Sequence, residues 1–182
     1  MYTVGIITAS DKGSKGERED LSGKVIEEMV TEAGYEVIHY VMVPDEIDAL
    51  YEAMCHMADT LKLNLILTTG GTGFSTRDVT PEATMKAIER ETPGISEGIR
   101  YNSLKITPKG MLSRGRSGIR GKSLIINMPG SPKAVRESLE YILKPIHHGI
   151  QILVGDDSEC ATPLTPASPA SPASPASPAT QK

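Results

Sequence analysis

Short, almost wholly apolar runs recur along this chain, and longer segments with apolar residues at helical spacing lie between them. The runs at residues 2–9 (YTVGIITA), 35–43 (YEVIHYVMV), 63–69 (LNLILTT) and 123–128 (SLIINM) read as strands, with 65–67 apolar enough to be covered on both faces and 123–128 buried. Residues 21–33 place Val25, Ile26, Met29, Val30 and Ala33 on one helical face, and Gly34 suits the position after a helix end. Residues 47–61 repeat the pattern with Ile47, Leu50, Tyr51, Met54 and Ala58. A short helix is expected over 81–91, with Thr80 as N-cap and Pro81 first inside, ended by Pro93-Gly94. Weaker periodicity marks 94–106, and 111–122 reads as short strand segments around a glycine-rich turn. Val135, Leu139 and Ile142 stripe a helix over 133–143, and Pro145 is expected to open a separate final helix to about residue 154.

Strand and helix in regular alternation predict an α/β fold: a three-layer, doubly wound, mostly parallel sheet with helices on both faces. Ligands in such folds bind beyond the carboxyl ends of the strands. The loops at 10–20, 44–46, 70–78 and 129–133 should converge there.

The third of these loops carries the clearest chemistry. Leu65-Ile66-Leu67-Thr68-Thr69 runs into Gly70-Gly71-Thr72-Gly73, and Asp78 follows five residues later. Glycine is entropically costly, so a cluster marks backbone that side chains would block or a ligand lying against it. A strand, a glycine turn and a helix start together form an anion-binding layout. It is not a P-loop, because Phe74-Ser75 stands where Lys-Ser/Thr is required, nor a dinucleotide fingerprint, because Thr76 replaces the third glycine. Thr69, Gly70, Gly71, Thr72 and Gly73 are therefore candidate phosphate contacts. Ser131 and Lys133, at a helix start after Pro129-Gly130, repeat the same logic, and Ser10 and Asp11 head the first loop.

Charge adds a second feature. The net charge is −4, yet residues 99–136 contain no acid and hold nine of the nineteen Lys and Arg residues. Such a block should create a local positive potential. Within it Arg114 and Arg120 are either candidate clamps for a phosphate, since guanidinium binds such oxyanions in bidentate fashion, or surface charges on a solvated face. A nucleic-acid surface is disfavoured, because only Tyr101 accompanies these charges and stacking aromatics are otherwise missing.

The chain divides into a domain over 1–156 and a Ser-Pro-Ala-rich tail over 157–182, where Pro recurs every third residue from 163 to 178. That is the polyproline II period, and nothing in it can bury a core. No apolar run approaches the ~20 residues that cross a bilayer, and no secretory pattern follows Met1, so a cytoplasmic protein with no membrane partner is expected. Cys55 and Cys160 suggest no disulfide framework. Cys55-His56 and His147-His148 are helical neighbours that do not share a face, so neither makes a metal site.

Five separated motifs carry a resemblance: VPDE at 43–46, TGGTGFSTRDVTP at 69–81, MLSR at 111–114, GIRG at 118–121 and IINMPGSPK at 125–133. Together they resemble the molybdopterin adenylyltransferases of molybdenum-cofactor biosynthesis, and the corresponding domains of gephyrin and its plant counterpart. The resemblance covers about residues 1–156. It implies that ATP and molybdopterin are substrates, that Mg²⁺ is required, and that AMP passes to the terminal phosphate of molybdopterin. It implies Asp45 and Asp78 as catalytic, metal-holding carboxylates and Ser113 as a pterin-pocket residue. It further implies a homo-oligomer, as a rule a trimer, and possible hand-over to a molybdenum-insertion enzyme. The competing expectation is a catalytically silent, pterin-binding scaffold of the same fold. Asp45 alone could equally cap a helix.

Overall fold

A computed structural model describes residues 1–156; the Ser-Pro-Ala tail and Cys160 lie outside the described residues. Six strands form one sheet: β1 (Thr3–Ala9), β2 (Glu36–Val43), β3 (Leu65–Thr69), β4 (Arg90–Glu91), β5 (Ser117–Arg120) and β6 (Ser123–Met128). Their order is β2-β1-β3-β6-β5-β4. The first four in that order pair in parallel, and β5 and β4 complete the sheet antiparallel.

The two-residue alternation of strand side chains builds two cores. Val4, Ile6, Leu65, Leu67, Leu124 and Ile126 face one layer, holding α1 (Leu21–Glu32), α4 (Pro93–Ile106) and α5 (Pro132–Val154). Ile7, Ile66 and Ile125 face the other, against α2 (Ile47–Cys55), the π-helical turn His56–Thr60 and α3 (Thr80–Ala87). The chain leaves β1 for β2 on one side and returns past β1 to β3 on the other. The order therefore reverses between β1 and β3, which is where a crevice opens in such folds. No described helix is long and apolar enough to cross a membrane.

Four expectations about local structure change. Pro145 lies inside α5 instead of opening a new helix. Ile142, Ile146 and Ile150 remain on one stripe and are essentially fully buried, and at ~1.5–3 kcal/mol each they outweigh the ~3 kcal/mol cost of an interior proline. Helix α3 ends at Ala87, because Ile88 turns extended and Arg90–Glu91 pairs with β5. Thr80 is the first helical residue and not the N-cap; its hydroxyl donates to the Gly70 carbonyl at 2.9 Å. The stretch expected as strand segments becomes a 3₁₀ turn, Pro108–Leu112, followed by β5.

Candidate functional site

The four loops do meet. They line a cleft of about 410 Å³ at the carboxyl ends of β1 and β3, walled by Ser10, Asp45, Gly70, Gly71, Asp78 and Ser131 among others. The cleft thus sits at the reversal in strand order.

The glycine loop is shaped by close approach. Gly70 and Gly71 have φ of +88° and +63°, a region that costs other residues ~1–2 kcal/mol. A Cβ on Gly70 would strike the Ala9 carbonyl, and one on Gly71 would strike the Thr80 hydroxyl. Thr80 closes the loop from below, with its N–H on the Gly71 carbonyl at 3.1 Å. The Thr69 hydroxyl donates to the Pro129 carbonyl at 2.7 Å, tying the loop after β3 to the loop after β6. Ser22 at the start of α1 donates to the Gly130 carbonyl at 2.9 Å, so three loops share one frame.

Asp45 and Asp78 both face this frame. An Asp45 oxygen lies 3.2 Å from where a Cβ on Gly71 would stand, and an Asp78 oxygen 2.9 Å from the same point on Gly73. Asp78 accepts the Ser75 N–H at 2.8 Å, which fixes its rotamer. Burial pushes the Asp45 carboxyl above its ordinary value, and the charges of Asp11 and Asp78 push it further, against a lowering hydrogen bond from the Asp11 backbone. An acidic pair beside bare backbone is the donor set that a hard cation bridging to phosphate requires. Among the described residues no group of three or more His, Cys, Asp or Glu could hold a metal by itself. Mg²⁺ commonly uses one or two carboxylates plus substrate phosphates, so the pair fits that ion and not a closed protein cage.

The remaining candidates separate. Asp11 does not face the cleft with a free carboxylate: both oxygens accept Arg77, and one also accepts the Asp45 N–H. Ser10 accepts the Gly13 N–H at 3.0 Å, and Ser131 caps α5 by accepting from Ala134 at 3.3 Å. Lys133 is exposed and pairs loosely with Glu137 at 3.8 Å. Thr72 and Gly73 present carbonyls to Arg114, whose N–H and Nε reach them at 2.9 Å and 2.7 Å. The Arg114 guanidinium also pairs with Glu82, so it braces the outer side of the glycine loop. Ser113 stands next to it, accepting the Gly115 N–H at 3.4 Å.

Arg120 is not brought to the cleft. It pairs in register with Ser123, the first residue of β6, and so lies at the opposite end of the sheet. There it binds Asp59 and the Ala87 carbonyl. The expected positive patch is likewise divided, since Arg114, Arg120 and Arg136 pair with Glu82, Asp59 and Glu28 on different elements.

Sequence reasoning missed three groups. Arg18 supplies a positive charge to the cleft wall from within the loop already expected there. Thr80 pins the glycine loop, and Arg77 grips Asp11 across 66 positions of sequence. Asp20 caps α1, its carboxylate accepting the Gly23 N–H at 2.8 Å.

Comparison with known proteins adds a family. Residues 5–148 match the family described as "Probable molybdopterin binding domain". The molybdopterin adenylyltransferase of Helicobacter pylori strain J99 is 44% identical over 155 residues, covering 84% of this chain and 88% of that protein. The enzyme of the same name from Escherichia coli K12 is 39% identical over 140 residues, covering 75% of this chain and 71% of its own. Among solved structures, the molybdopterin biosynthesis enzyme MoaB of Thermus thermophilus superposes with a TM-score of 0.81 at 46% identity, covering 85% of this chain and 98% of that one.

Proposed function

This chain belongs to the molybdopterin-binding domain family, and we propose that within it the chain is a molybdopterin adenylyltransferase of molybdenum-cofactor biosynthesis. The observation that carries the site assignment is that Asp45 and Asp78 oxygens lie 3.2 Å and 2.9 Å from where Cβ atoms on Gly71 and Gly73 would stand, both against one glycine loop.

The substrates are ATP and molybdopterin. An oxygen of the terminal phosphate of molybdopterin attacks the α-phosphorus of ATP, the bond to the β-phosphate bridging oxygen breaks, and pyrophosphate leaves with that electron pair. Little covalent work falls to the protein, so the task is to align two anions and offset their charge. The left-handed turn at Gly70-Gly71 packs against the Ala9 carbonyl and the Thr80 hydroxyl, which sets the main chain that a phosphate would lie along. Ser131 and Ser22 sit at the starts of α5 and α1, whose positive ends favour a second anion in the same cleft. Asp45 and Asp78 would hold Mg²⁺ against the phosphates. That ion, when bound, lowers the repulsion between the anions and polarises the attacked phosphorus.

Asp45 and Asp78 then carry the metal role, the glycine loop the phosphate role, and Arg114 the role of stiffening that loop. The working enzyme is a homotrimer in the cytoplasm that passes its product to a molybdenum-insertion enzyme. The domain boundary is proposed near residue 156, where the Ser-Pro-Ala-rich sequence begins.

The direct test is to incubate the protein with molybdopterin and Mg-ATP and to follow both the AMP adduct by mass and the released pyrophosphate. Equal amounts of the two products support the assignment. Pterin binding without either product, from a preparation run beside an active enzyme of the family, leaves a scaffold of the same fold.

A further inference from the structure

Three of the four loops at the cleft are joined through one guanidinium. Arg77, from the glycine loop, donates through Nε and Nη2 to the two oxygens of Asp11 at 2.9 Å and 2.8 Å. Asp11, from the loop after β1, gives its N–H to an Asp45 carboxylate oxygen at 2.9 Å. Asp45, from the loop after β2, returns its own N–H to Asp11 at 3.1 Å. Arg77 also lies 3.8 Å from Glu46, the next residue.

This arrangement decides between two roles for Arg77. An arginine inside a phosphate loop would ordinarily be read as a phosphate clamp. Here its two-pronged edge faces Asp11, and that carboxylate offsets its charge. Fold stability does not explain the pair either. Both side chains are well exposed, at 53% and 37%, and such pairs contribute little to stability. What the pair does determine is direction: with Asp11 fixed, the reciprocal Asp11–Asp45 bonds fix both the backbone and the carboxylate of Asp45.

We propose that Arg77 is a positioning residue for adenylyl transfer, acting through Asp11 to hold Asp45 over the glycine loop. This rests on the reading of Asp45 as a group that holds magnesium against the phosphates. Misplacement of such a group by ~1 Å can cost about 10²-fold in rate. Lysine at position 77 keeps the charge and loses the fork, so it cannot hold both carboxylate oxygens in the same plane.

The test pairs turnover with a readout that needs no substrate. Backbone amide exchange at Asp11 and Asp45 is measured in the full chain for wild type, Arg77→Ala, Arg77→Lys and Lys86→Ala. The last removes a surface pair with Asp48 that bonds neither Asp11 nor Asp45. Exchange at both amides rises tenfold or more in Arg77→Ala, by an intermediate factor in Arg77→Lys, and not in Lys86→Ala. Turnover in Arg77→Ala falls about 10- to 100-fold in kcat, with KM for ATP changed less than threefold. Asp11→Asn combined with Arg77→Ala loses no more than the worse single variant, because both break one link.

Unchanged exchange, a raised KM for ATP with kcat kept, or losses that multiply in the double variant would each overturn the inference. Asp45→Ala, run alongside, separates the two layers. If it retains full turnover, the assignment of Asp45 itself fails. If it loses turnover while Arg77→Ala keeps both rate and protection, only the positioning role fails.

Discussion

Two arginine–aspartate pairs stand at opposite ends of the sheet with nearly the same geometry and different consequences. At the carboxyl end Arg77 holds both oxygens of Asp11 at 2.8–2.9 Å. At the amino end Arg120 holds both oxygens of Asp59 at 2.6–3.0 Å, with a further bond to the Ala87 carbonyl. Arg77 keeps the Asp11 carboxyl below its ordinary value, and Arg120 does the same for Asp59. The difference lies in what each aspartate touches next. Asp11 passes its order to Asp45 and thereby to the cleft, whereas Asp59 ends in a π-helical turn pinned to the sheet edge. Identical side-chain chemistry becomes a functional link only where topology brings a further loop into contact.

The comparison breaks first at the carboxylates. Asp78→Ala should lower the rate of AMP transfer about 10³-fold, equivalent to ~4 kcal/mol of transition-state stabilisation, with melting temperature nearly unchanged. Single-turnover kinetics beside a thermal scan checks both halves. Gly71→Ala should follow, because its φ of +63° and the nearby Thr80 hydroxyl both oppose a Cβ. A stability loss of ~1–2 kcal/mol by urea titration and a rate loss of about 10²-fold are expected.

Arg120→Ala should have the opposite profile. Turnover stays within about twofold, and stability falls by no more than about 1 kcal/mol, a shift of roughly 2–4 °C. The sign of its pH dependence follows from Asp59. A carboxylate whose folded pKa is depressed stabilises the fold above its unfolded value, ~3.9, and that contribution disappears as pH falls through the lower folded value. The gap in melting temperature between wild type and Arg120→Ala should therefore be full at pH 7 and close as pH falls below the ordinary carboxylate range. The smallest effect belongs to Lys86→Ala, whose exposed pair with Asp48 leaves the urea midpoint essentially that of wild type.

The layered fold was legible because it depends on local period: apolar runs of strand length separated by helical stripes leave few alternatives. The glycine loop with Asp78 was legible for a similar reason, since Gly70 through Asp78 are contiguous and their backbone needs are written in residue type. Pro145 misled because its local cost is visible in sequence, and the burial of Ile142, Ile146 and Ile150 that offsets it is not. Arg120 misled more instructively. As a member of an acid-free basic block it looked like a phosphate clamp, yet β5 runs antiparallel and carries it to the far end of the sheet. Arg77 went unassigned because its partner lies 66 residues away, and no spacing rule reports a contact made by folding. Charge partners are set by topology, and topology had to be known first.

Asp45 and Asp78 are proposed to hold magnesium together against phosphates lying along the glycine loop. The most direct measurement is the single-turnover rate of AMP transfer as free Mg²⁺ is varied, in wild type, Asp45→Asn and Asp78→Asn. The account predicts that each substitution raises the half-saturating Mg²⁺ concentration about tenfold or more, since a neutral amide is a poorer ligand for a hard cation than a carboxylate. Half-saturation unchanged from wild type in both variants would contradict it.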